Sequence, residues 1–104
     1  MNLPRNRDYP RELVINDDFW VLKFRRNIDT KHYEILGECD YSEYEISIRL
    51  KQDRFNTWVT FIHESLHAMA PWLSEHDVKK LEKPLSLFIL NNICPIHGRK
   101  KRRK

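Results

Sequence analysis

Residues 44–69 read YEISIRLKQDRFNTWVTFIHESLHAM, and the hydrophobic period changes partway along them. From Tyr44 to Leu50, apolar and polar residues alternate, the pattern of a strand with one buried face. Further on, Phe55, Trp58, Val59, Ile62, Leu66 and Met69 recur at three- and four-residue intervals, which predicts an amphipathic helix over roughly 54–70. A strand followed by a helix points to a fold that mixes both kinds of element, the α+β class.

Working outward, Leu13-Val14-Ile15, Asn16-Asp17-Asp18 and Phe19 to Phe24 read as strand, turn, strand. Residues 1–10, with Pro4 and Pro10, read as a loose arm. Asn27 to Lys31 reads as a polar connection, and His32 to Leu36 as a short extended piece ended by Gly37. On the other side, Pro71-Trp72-Leu73 breaks the helix. Ser74 then caps a second one, with Asp77 three residues on. Val78, Leu81, Leu85, Phe88 and Ile89 form its expected apolar stripe, Pro84 its kink or restart, and Asn91-Asn92 and Pro95 its end. The expected organisation is one domain over 11–95 with a basic tail over 96–104.

Composition narrows the function classes. At 104 residues there is room for one domain. No stretch is apolar for the 18 or so residues of a membrane span, and the start carries no apolar leader, so a cytoplasmic protein is expected. The net charge of +4 is misleading, because six of the 19 Lys and Arg form the run Arg99, Lys100, Lys101, Arg102, Arg103 and Lys104; the other 13 face 15 acidic residues. The run could hold nucleic-acid phosphates without reading sequence; its bland alternative is a solubilising end. Cys39 and Cys94 are expected to be reduced, with Cys39 a buried, inert thiol. Cys94 and His97 have the spacing of a metal pair but lack the partners of a closed site. His32 and Tyr33 read as sheet surface.

The chemistry lies in His63-Glu64-Ser65-Leu66-His67. Histidines four apart on a helix share a face and can present nitrogens to one metal ion, while Glu64 is placed to take a proton from a zinc-activated water. A shuffled chain of this composition would contain such a triplet about 0.02 times, so composition alone is a poor explanation. The bland alternative is two surface histidines and a glutamate on a solvated helix. A catalytic zinc takes a third protein ligand. Glu75, His76 and Asp77 are all within reach, and His97 lies further off. If Val78 and Leu81 pack inward, Glu75 also faces the first helix. It is the first choice, with His76 second and Asp77 better explained by helix capping.

With these residues in view, the runs GECDYSEYEISIRL (37–50) and TWVTFIHESLHAMAPWLSEHDVKKLEKPLSLFILNN (57–92) resemble small zincin-like proteins of phages and prophages, related to the ImmA/IrrE-type and SprT-like metallopeptidases. The resemblance implies a minimal zincin fold, a small twisted sheet packed on the helix of the histidines with a second helix after it, and it implies zinc on His63, His67 and Glu75 and Glu64 as general base. It also implies a strand edge near the metal that can take an extended peptide, for which Tyr44 to Leu50 is the candidate; the equal alternative is an ordinary sheet strand whose edges are covered. Lys79 departs from the pattern, standing where gluzincins can carry an Asp or Asn that supports a ligand histidine. The expected function is therefore a zinc-dependent peptidase acting on a protein or peptide. The alternatives are a catalytically silent zinc-binding protein and a small nucleic-acid-binding protein that works through its tail.

Overall fold

A computed structural model describes residues 3–26 and 36–93. They form an α+β domain in which a four-stranded mixed sheet packs on two helices, in the order β1 (Glu12–Ile15), β2 (Asp18–Arg25), β3 (Gly37–Asp40), β4 (Glu45–Arg49), α1 (Arg54–Met69) and α2 (Glu75–Asn92). No helix among the described residues is long and apolar enough to cross a membrane.

The β1–β2 hairpin turns through Asn16 and Asp17, with φ of 52° and 71°. This left-handed pair matches the twist of a two-residue hairpin, and Asn and Asp tolerate it better than most side chains. The sheet order is β1-β2-β4-β3, with β4 parallel to β2 and antiparallel to β3. The strand expected at 44–50 is therefore present but central. Both of its edges are paired, so it cannot accept a peptide as the sequence suggested. The edge strand on that side is β3, and Gly37 opens this strand rather than ending one. The extended piece expected at His32 to Leu36 lies almost wholly outside the described residues.

Alternation decides which sheet face meets the helices. Trp20 and Leu22 of β2 and Ile46 and Ile48 of β4 are buried in one core with Trp58, Ile62 and Leu66 of α1. Tyr9 joins this core, its ring meeting Phe24 and Phe61 edge-on at centroid distances of 5.3 and 5.1 Å. Pro4 is fully buried as well. The N-terminal stretch expected as a loose arm is thus anchored at Pro4 and Tyr9, with Arg5, Asn6 and Arg7 between them exposed, because Tyr9 supplies a large apolar ring to a small core.

Both helices start as expected. The Asp53 carboxylate accepts the Asn56 N–H at the start of α1, and the Ser74 hydroxyl accepts the Asp77 N–H at the start of α2. The end of α1 is held from outside. The His67 carbonyl accepts the Tyr41 hydroxyl at 2.7 Å, and the Met69 carbonyl accepts the Asn16 side-chain amide at 2.8 Å. Two turns of the sheet thereby satisfy carbonyls that a helix end leaves without partners.

α2 runs unbroken through Pro84, without the restart that the proline suggested. Its buried face also differs from the expected stripe. Val78, Ser86 and Leu90 are buried, whereas Leu81 and Phe88 are 44% and 56% exposed. Ser86 is fully buried, and the Trp58 indole N–H donates to its backbone carbonyl at 3.1 Å. Glu75, Val78 and Glu82, spaced three and four residues apart, lie along the side facing α1.

Candidate metal centre

α1 carries His63, Glu64 and His67 at the level where β3 and the start of α2 approach it. One nitrogen from each histidine and one carboxylate oxygen of Glu75 all lie within 4.8 Å of one another. Glu75 spans the pair, with Oε1 2.7 Å from His67 Nε2 and Oε2 3.2 Å from His63 Nε2. Burial would raise the pKa of this carboxyl, but hydrogen bonds and charge from His67 and His63 outweigh it and hold the value below the ordinary carboxylate range.

The near candidates for a third ligand are therefore separated by geometry. Glu75 meets both histidines. Neither His76 nor Asp77 joins the group of converging ligand atoms among the described residues. Two nitrogens and a carboxylate oxygen converging in this way suit a zinc ion, which takes such ligands in tetrahedral sites and keeps one position open for chemistry.

A third acidic residue of the site, Glu82, has no counterpart among the residues singled out from sequence. Its Oε1 lies 2.6 Å from His63 Nδ1. A carboxylate only accepts, so the ring hydrogen belongs on Nδ1 and the Nε2 lone pair points toward the cluster. Glu82 lies one turn beyond Lys79 on α2, and it is the acid that meets His63 at this ring nitrogen. The signal was present in the spacing, since Glu82 follows Glu75 by seven residues and so recurs on the same side of the helix.

Glu64 is buried, with a relative exposure of 7%. Burial raises its pKa to about 7; the neighbouring His63 works against this, and Glu75, Glu38 and Glu82 add to it. Gly37 accounts for how closely β3 covers this carboxylate. A Cβ at Gly37 would lie 2.6 Å from Thr60 Cγ2, 3.0 Å from Glu64 Cγ and 3.1 Å from Glu64 Oε2. Only a residue without a side chain lets the strand approach the helix this closely.

Cys39, two residues along β3, is partly rather than fully buried. Burial, with the nearby Glu64 second, pushes its thiol up to about 11. A protonated thiol of this kind is a poor metal ligand. His63, Glu64, Gly37, Glu75 and Glu82 line one cleft of about 460 Å³, which also contains Lys79 and Lys83.

The other candidates named from sequence, namely His32, Tyr33, Cys94, His97 and the basic run 99–104, lie outside the described residues. No family model, curated protein or solved structure matches the chain.

Proposed function

We propose that the protein is a zinc-dependent metallopeptidase in which His63, His67 and Glu75 hold the metal and Glu64 is the general base. The observation that carries this reading is the meeting of both histidines with Glu75 while Glu64, on the same helix, lines the adjoining cleft. Zinc bound there supplies the Lewis acidity that peptide hydrolysis requires at neutral pH.

The chain's own groups have distinct tasks. Glu64 takes the proton of the attacking water on its carboxylate and passes it to the departing amine. Its burial under Gly37 keeps bulk water from competing for that carboxylate. Glu82 fixes the tautomer and the ring orientation of His63. The substrate lies extended along β3, which pairs with β4 on one side and has no strand partner on the other among the described residues. A sheet packed on a helix with paired histidines, followed by a helix that contributes an acid, supports grouping the chain with the minimal zincins it resembles.

Zinc content and cleavage of an unstructured protein substrate test the reading together. About one zinc per chain, absent from His63→Ala, is expected. Glu64→Gln should retain zinc and lose cleavage, since Glu64 is no ligand. Retained cleavage in Glu64→Gln would overturn the assigned mechanism. Zinc binding with no cleavage by wild type would favour a binding protein. No zinc binding at all would reduce the His-Glu cluster to an ion-pair network.

A further inference from the structure

The cleft extends beyond the ligand cluster along the groove between the helices, lined by Asn56 and Thr60 from α1 and by Lys79 and Lys83 from α2. Lys79 follows Glu75 by four residues and Lys83 follows it by eight, placing them about 6 and 12 Å along the helix axis from the ligand position. Both lysines are exposed, and neither has a carboxylate partner among the described residues.

The acids nearest to them are already engaged. Glu75 is held by His63 and His67, Glu82 by His63, and Glu64 is buried at the metal end. Two unpaired ammonium groups on a concave wall attract anions into it more strongly than the same charges on a convex surface. Leu36 and Val59 add apolar contact to the same wall. The lining therefore suits a carboxylate on a short aliphatic stem.

We propose that this part of the cleft is a subsite for acidic side chains. An extended peptide advances about 3.3 Å per residue, so Lys79 and Lys83 select Asp or Glu about two and about four residues from the scissile bond. The proposal rests on the peptidase reading for the position of that bond, while the binding preference can be measured without turnover.

The experiment uses Glu64→Gln protein and fluorescent decapeptides that carry Glu at those two positions or Gln in their place, on either side of a common centre. Anisotropy should show the Glu peptides binding about tenfold tighter at low salt, with the advantage shrinking as salt rises. The added double change Lys79→Gln and Lys83→Gln should bring the two peptide sets to within about twofold. Equal affinities before that change would overturn the subsite. So would a preference that survives it, because the selection would then come from other cations such as the basic run 99–104.

Zinc-loaded wild type with the same peptides separates this proposal from the peptidase reading. Acid-selective binding without cleavage of any peptide would remove the peptidase and leave the subsite. Cleavage of both sets with equal kcat/KM and equal affinity would do the reverse.

Discussion

Glu82 Oε1 stands 2.6 Å from His63 Nδ1, on the opposite side of the imidazole from the nitrogen that meets Glu75. One helix thus grips His63 at both ring nitrogens through acids seven residues apart. Carboxylates that orient ligand histidines in this way are worth about 10- to 100-fold in metal affinity. Glu82→Ala should weaken zinc binding within that range in a competition titration against a chelator. Glu82→Gln should lose less, because the amide oxygen still accepts from Nδ1. Wild-type affinity in Glu82→Ala would mean that the hydrogen bond does not support the site.

The approach of β3 to α1 has its own test. Gly37→Ala places a methyl 2.6 Å from Thr60 Cγ2, closer than packed atoms can remain. Overpacking of this kind costs about 1–3 kcal/mol, so the variant should melt several degrees below wild type. Thr60→Ser removes that methyl and keeps the hydroxyl that donates to Gln52 at 2.9 Å. The double variant should therefore lose less stability than the two single changes added together. Simple additivity would place the strain elsewhere.

Glu45 links the two parallel strands at the centre of the sheet. It lies 3.3 Å from Lys23 Nζ and also accepts from Arg25. Burial alone would raise its pKa, but hydrogen bonds from Arg25, Lys23 and Ser47 prevail and hold it below the ordinary value of 4.5. A carboxyl whose pKa is lower folded than unfolded favours the fold fully above the unfolded value. That contribution fades as pH falls through the folded value. Glu45→Gln should cost about 0.5–1 kcal/mol at pH 7, a figure kept small by solvent screening. Its denaturation midpoint should converge with wild type below about pH 4. A gap that persists undiminished at pH 3 would show that the loss comes from packing rather than charge.

Cys39 offers a chemical readout of the same wall. With its thiol pushed up to about 11, almost none is thiolate at pH 8. In a Cys94→Ser protein, iodoacetamide should modify Cys39 about 100-fold more slowly than a free thiol, with the rate rising about tenfold per pH unit until the fold gives way. A plateau near pH 8.5 would mean that β3 does not shield the sulfur.

Much of this architecture is local and was legible from residue order. The Asn16-Asp17 turn, the alternation leading to Ile46 and Ile48, the spacing of Trp58, Ile62 and Leu66, and the Ser74 cap each depend on residues within a few positions of one another. Backbone preference and side-chain period act over that range. The pairing of His63 with His67 is legible for the same reason, since the helix alone brings them together.

What the tertiary structure decided depends on segments far apart in the chain. Residue order does not state that β4 inserts between β2 and β3, so it does not show that β3 is the edge strand beside the site among the described residues. Tyr9 reads as part of a polar arm until the core that receives its ring is assembled. The stripe on α2 was misjudged at Leu81 and Phe88 because seven apolar residues between Val78 and Leu90 permit more than one buried face. In the fold, the face that packs Val78, Ser86 and Leu90 is buried, and Glu82 on the same side of the helix meets His63. Gly37 shows its purpose only when Thr60 and Glu64 arrive opposite it. Sequence by itself determined which helix carries His63, Glu64 and His67; packing determined which acids meet the histidines and which strand covers Glu64, because those contacts depend on the orientation of whole elements rather than on local spacing.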